Sequence, residues 1–203
     1  MLQHESRHLT HRPWLRGLGT AVAVVLGLAA VPAASRAQNM EVPVSIQLPL
    51  FLKVMTFDRN LEKRAGKKLV LAVAYQKAHR ASARARDEAV RALAGVTQVG
   101  PFALEVISID LDKEHLATAL DDHRVSFLYV TPLRAIDLGD VVTAARAAGV
   151  STVTGVPGYV VDGLSVGVRL QADRPKLIIN LEASKLEGSD FTAELLKLVQ
   201  LIP

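Results

Sequence analysis

Residues 163–167 read Gly-Leu-Ser-Val-Gly, the G-x-S-x-G spacing that can lift a serine hydroxyl to the head of a helix as a hydrolase nucleophile. Residues 4–8 read His-Glu-Ser-Arg-His, the H-E-x-x-H spacing that places two imidazoles on one helical face around a zinc ion. Each pattern has chemical meaning only in its structural context. A serine nucleophile needs a sharp strand-to-helix turn and a histidine base, which in the α/β-hydrolase order follows the serine. Here Val166-Gly167-Val168-Arg169-Leu170 continues as a strand, and His79, His115 and His123 all precede Ser165. A hydrolase using Ser165 is therefore the remotest reading. As part of a hairpin, Ser165 is expected to be an edge or surface residue that costs little to remove.

The elements that would have to carry the histidine pair are equally unfavourable. Residues 1–17 are polar, with Arg7, Arg12 and Arg16 against Glu5 alone, and an unbroken small and apolar run follows from Leu18 to Val31. Pro32 then breaks the pattern, and Ser35-Arg36-Ala37 supplies small residues around a cleavage point. That order predicts a secretory signal peptide over residues 1–37, removed near Ala37 to leave a periplasmic chain from Gln38. The apolar run is 14 residues long, short of the about 20 that a spanning helix needs. His4, Glu5 and His8 would leave with the leader before folding.

Of 24 Lys and Arg against 20 Asp and Glu, four and one lie in the leader, so residues 38–203 carry 20 against 19. Such balance argues against a nucleic-acid partner. Cysteine is absent, which excludes disulfides, thiol redox chemistry and a lipid-modified cysteine. Trp14 is the only tryptophan. The remaining length suits one domain with a sizeable core.

Within it, short β-type runs alternate with helical patterns. Residues 67–75, 102–111, 125–131 and 150–154 read as strands, and 78–94, 113–123 and 139–148 as helices. Residues 41–57 are ambiguous, because Val42, Val44, Ile46 and Leu48 alternate whereas Ile46, Leu50, Val54 and Phe57 sit at helical spacing. Residues 164–171 and 176–181 alternate around the turn 172–175 and predict an antiparallel hairpin. A closing helix starts near Ser189 or Asp190, with Phe191, Leu195, Leu198, Val199 and Ile202 on one stripe. The expected fold is a three-layer α/β/α domain. Its largely parallel sheet is extended by a C-terminal antiparallel β-hairpin and a closing helix.

Other chemical signals are thin. Asp110, Asp112 and Glu114 are alternate acids at a strand end, and without a convergent histidine they read as a solvated loop starting a helix. Lys77, Arg80, Arg84, Arg86 and Arg91 read as a solvated helix face paired with Asp87 and Glu88. No P-loop, G-x-G-x-x-G or C-x-x-C occurs, and no metal or cofactor is expected. A ligand in an open α/β sheet sits at the carboxyl ends of the strands, which selects Tyr75, Gln76, Asp110, Thr131, Thr154 and Gly155 as the rim for a small molecule or partner.

Residues 163–202, GLSVGVRLQADRPKLIINLEASKLEGSDFTAELLKLVQLI, resemble the close of the YfiR-like family of exported bacterial proteins. In that family a strand with a central glycine turns into a strand ending Ile-Asn-Leu. An alanine-bearing turn, a glycine and a short helix with a leucine pair follow. Gly167, Ile179-Asn180-Leu181, Ala183, Gly188 and Leu195-Leu196 stand at those places. VSFLYVT (125–131) and VSTVTGVPGY (150–159) look like further strands of the family, and the resemblance favours a helix for residues 44–57. Departures are Phe57-Asp58, where the family commonly has Trp-Pro, and the stretch YQKAHRAS (75–82), which does not match the family's glycine-rich loop. The resemblance implies a periplasmic, non-catalytic regulator. Such a protein binds and represses a membrane-bound signalling partner, the periplasmic part of a diguanylate cyclase, and so controls cyclic-di-GMP. A small ligand and a homodimer complete the expectations. Asn180, ending a strand before a turn, is expected to cap local backbone rather than meet a ligand.

Overall fold

The structure is a computed structural model that describes residues 40–202. The expected leader and its HESRH motif lie outside the described residues. The chain opens with α1 (Val44–Met55), which settles the ambiguous first segment as a helix. Val44, Gln47, Leu48, Phe51, Val54 and Met55 are buried, a spacing of three and four that only a helix turns to one side. The buried face is rotated from the expected one, since Ile46 is exposed. Pro49 lies on the exposed face of the helix, as does Ser45, whose carbonyl loses its helical donor there.

The succeeding elements are α2 (Leu61–Ala65), β1 (Lys68–Tyr75), α3 (Arg80–Leu93), β2 (Gln98–Val99), β3 (Phe102–Asp110) and α4 (Leu116–Asp122). After them come β4 (Phe127–Val130), α5 (Leu138–Ala148), β5 (Ser151–Thr154), α6 (Pro157–Val161), β6 (Val166–Gln171) and β7 (Arg174–Asn180). The chain ends with α7 (Leu181–Leu186), α8 (Ala193–Leu198) and β8 (Gln200–Ile202). Boundaries follow local chemistry. The Asp137 side chain caps α5 by accepting from Gly139 N at 2.9 Å, and Gly149 ends that helix at φ 64°.

One eight-stranded sheet runs β2-β3-β1-β4-β5-β6-β7-β8. Strands β3, β1, β4, β5 and β6 are parallel, and β6–β7 is the expected antiparallel hairpin. Its turn places Ala172 and Asp173 at φ 48° and 58°, the positive-φ pair that matches strand twist. Leu69, Leu71, Val73, Phe127, Tyr129 and Val153 pack towards α1, α2 and α3. Val70, Ala72, Ala74, Leu128 and Val130 pack towards α4, α5 and α6. Because both faces are covered, the central strands read as continuous apolar runs. The result is the three-layer α/β/α fold.

The close of the chain corrects one expectation. The last helix is short, begins after its cap Thr192, and gives way to β8, which adds parallel to β7. Phe191 and Leu195 are buried, but Leu198 is 66% exposed and Ile202 belongs to a strand, so the long apolar stripe does not form. A clasp joins the two ends of the domain: Arg59 N donates to Asp190 O (2.9 Å), Thr192 N to Phe57 O (3.0 Å) and Asp190 N to Asp58 Oδ1 (2.9 Å).

Candidate functional site

Strand β1 sends the chain to β3 on one side, after which α4 returns it to β4 on the other. The carboxyl ends of β1 and β4 thus form the switch point where open sheets take ligands. Three of the expected rim residues meet there. The Gln76 side chain donates from Nε2 to Asp112 Oδ1 (3.2 Å) and accepts at Oε1 from Arg134 N (2.6 Å). Its backbone N donates to Ser82 Oγ (2.8 Å), which in turn lies 2.6 Å from Thr131 Oγ1. Since the Thr131 hydroxyl donates to Ala74 O (2.8 Å), the Ser82 proton must point at Thr131. Asp110 Oδ1 accepts from Lys77 N (3.2 Å) and Asp112 N (3.3 Å). Asp112 accepts from Ala78 N (2.8 Å), a bond that pulls its carboxyl below the ordinary value. Among the described residues no group of His, Cys, Asp and Glu could hold a metal ion.

This rim is therefore closed by its own hydrogen bonds. Gln76, Asp110, Thr131 and Thr154 are buried, and Tyr75 lies beneath the Arg86 guanidinium, 4.6 Å from its ring centre. Thr154 and Gly155 stand apart, at the end of β5. Thr154 donates to Val130 O (2.9 Å), and the Gln47 amide of α1 covers Gly155 so closely that a Cβ there would lie 2.3 Å from it. Gln47 is fixed in turn by donating to Val42 O (2.6 Å) and accepting from the Tyr129 hydroxyl (2.9 Å).

The open concavity lies beside the rim. A cleft of about 520 Å³ between α4 and α5 begins where β3 and β4 end. Leu111, Leu116, Ile136, Val141 and Ala144 form its apolar wall, with Glu114, His115 and Asp140 also lining it. Apolar walls with a few polar groups are the usual make-up of a small-molecule site. Sequence reading missed it because its walls come from two helices whose apposition no local pattern encodes.

At the opposite, amino end of the sheet lies the answer to the GLSVG motif. Ser165 is fully buried in front of β6, and its hydroxyl donates to Glu187 Oε2. Thr152 donates to the same carboxylate from its backbone N (2.8 Å, to Oε2) and its hydroxyl (2.7 Å, to Oε1), and accepts from Ser165 N at 2.8 Å. Burial pushes the Glu187 carboxyl up to about 7, against the pull of these bonds and of the nearby Arg64 charge. Ser165 is thus a structural donor inside the protein. The edge-or-surface expectation is corrected, because β5 flanks β6 on its other side and Thr152 and Glu187 enclose the serine. The motif's glycines serve backbone geometry. Gly163 adopts φ 117°, and a Cβ on Gly167 would lie 2.5 Å from Val160 Cγ2.

Of the positions that carry the resemblance, Asn180 caps as expected. Its Oδ1 accepts from Ala183 N (2.9 Å), starting α7, while Nδ2 donates to Val160 O (3.1 Å). Leu181 opens α7, Ala183 and Leu195 are buried, and Leu196 packs at the margin of the core.

No family model and no curated protein matches this chain. Solved structures do share its fold. An ABC domain from Streptococcus pneumoniae, solved in complex with L-Trp, is similar over 79% of this chain and 62% of its own, at 14% identity and TM-score 0.55. A conserved domain protein from Vibrio cholerae is similar over 78% and 60%, at 12% identity and TM-score 0.53. This chain spans about three-fifths of the length of either. Among the described residues no helix is long and apolar enough to cross a membrane.

Proposed function

We propose that this protein is a non-enzymatic small-molecule-binding module whose ligand, an apolar body carrying an amine, occupies the cleft between α4 and α5. The observation that carries the reading is the cleft itself, apolar in its walls, lined also by Glu114 and Asp140, and adjoining the carboxyl ends of β3 and β4. The fold is shared with a domain crystallised with L-Trp, a ligand of this chemistry, which supports the reading. L-Trp is thus the first probe, titrated by calorimetry alongside other apolar amines and their amine-free analogues. Saturable binding that Ala144→Phe abolishes is the expected result, since Ala144 is partly exposed in the cleft wall and a ring there fills it. No saturable binding of any apolar amine, or binding indifferent to Ala144→Phe, sinks the proposal.

A second reading rests on the C-terminal module. Its resemblance to the YfiR-like family supports a periplasmic repressor of a membrane-bound diguanylate cyclase. Leu186, Leu198 and Leu201, exposed at 52%, 66% and 46%, give that module apolar side chains a protein partner could cover. A ligand would then bias the partner only by its difference in affinity for the two partner states. Deleting the gene and measuring cyclic-di-GMP, together with a pull-down of membrane proteins, tests it. Unchanged nucleotide and no membrane signalling protein would refute this second reading.

A further inference from the structure

At the amino end of the sheet, far from the α4–α5 cleft, a second cavity of about 390 Å³ opens. Lys63, Arg64, Arg124, Asn60 and Gly149 line it, together with Glu187 and Gly188. Its balance of charge is lopsided. Arg64 is held in the wall at 7% side-chain exposure, by Asp58 Oδ2 (3.4 Å), Ser189 Oγ (3.1 Å) and the backbone carbonyls of Gly149 and Glu187. Its Nε–H is buried and has no acceptor among the described residues. Glu187 turns its carboxylate to Thr152 and Ser165, away from use as a counter-ion to the cavity cations. Lys63 and Arg124 are exposed and pair with no acid among the described residues.

Helix C-termini supply part of the reason for cations here, since α4 and α5 both end at this edge. That reason is incomplete. The carbonyl of Gly149, just past α5, is already taken by Arg64, and among the described residues neither Lys63 nor Arg124 makes a side-chain bond to a helix carbonyl. Arg124 also occupies φ 50°, a conformation sparsely adopted by residues with a side chain. Two unneutralised cations and one immobilised guanidinium around a single concavity form a receptor for negative charge.

We infer that this cavity binds a small oxyanion, the phosphate or carboxylate group of a metabolite, between Lys63 and Arg124 over the Arg64 wall. Arg64, already paired with Asp58, forms the polar wall, and Lys63 and Arg124 supply the positive charge and the N–H donors that contact the ligand oxygens. Nothing in this site depends on occupation of the α4–α5 cleft.

The test is calorimetric titration of the full chain at constant ionic strength with inorganic phosphate, glycerol 3-phosphate, citrate and chloride. Saturable binding of a phosphate or of citrate, but not chloride, is expected, and the arm that binds identifies the ester or the carboxylate class. Lys63→Gln and Arg124→Gln should each weaken that binding about tenfold, the scale of one charge-assisted hydrogen bond. Both leave the melting temperature unchanged, because each side chain is exposed and unpaired. The inference is overturned if no oxyanion saturates, if chloride competes equally, or if both variants bind as the parent does. Phosphate bound adventitiously elsewhere on the surface would give the last of these outcomes.

Discussion

Thr152 and Glu187 lie 35 residues apart and meet through two hydrogen bonds, one from the threonine backbone and one from its hydroxyl, each to a different carboxylate oxygen. The pair locks the α7–α8 connection beneath the start of β5. It also places a carboxylate in a setting with no exposure to water, from which a pH dependence follows.

Glu187 titrates near 7 when folded and near 4.5 when unfolded. Between those values the folded state holds the extra proton, so stability falls as pH rises from about 4.5 to 7 and is level on either side. The loss is on the order of 3 kcal/mol. Glu187→Gln should flatten that slope, as read by urea denaturation from pH 4.5 to 8. An unchanged slope in the variant would assign the pH dependence elsewhere.

Ser165→Ala should destabilise the protein by about 1–3 kcal/mol, because it removes a donor from a buried carboxylate. Denaturation midpoints measure this, and a fluorophosphonate probe should leave Ser165 unlabelled in the native protein. A loss below about 0.5 kcal/mol would contradict the buried network.

Gly167→Ala should cost about 1–3 kcal/mol, since its Cβ would meet Val160 at 2.5 Å and Ile178 at 3.3 Å. Val160→Ala in the same chain should recover part of that loss. Strict additivity of the two changes in a double-mutant cycle would show that the contact is not the cause.

Leu195→Ala and Leu198→Ala should separate sharply, at about 2–5 kcal/mol for the buried leucine and within about 0.5 for the exposed one. Equal losses would restore the long helical stripe that the sequence suggests.

Asn180→Ala should cost about 1–2 kcal/mol through loss of the α7 cap and of the bond to Val160 O. Asn180→Asp should retain the cap but lose the amide donor, and so fall between the two.

What could be read from the sequence was whatever local chemistry determines. The run KLVLAVAY announces a strand covered on both faces, Gly149 marks the end of α5, and Asn180 announces its own cap. The short elements were not legible. In α6, α7 and β8, five, six and three residues are too few to establish a period. Glu187 was invisible for a different reason. In SKLEGSD it looks like any loop acid, and its burial is decided by Thr152, Ser165 and Arg64, which the fold brings from three distant segments. The strand ends that carry Gln76, Asp110 and Thr131 were legible but the closure of their hydrogen bonds was not, because a sequence shows which polar groups stand at a strand end and not whether they satisfy one another.

The clasp between residues 57–59 and 190–192 has a consequence in time. Arg59 and Asp190 are separated by 131 residues, and β8 joins the sheet only after them. The two segments of the clasp must therefore find each other across most of the described fold. Contacts of such long separation form late and slowly. The clasp is thus expected among the last contacts to form on refolding, and a variant that weakens it should unfold faster with little change in folding rate.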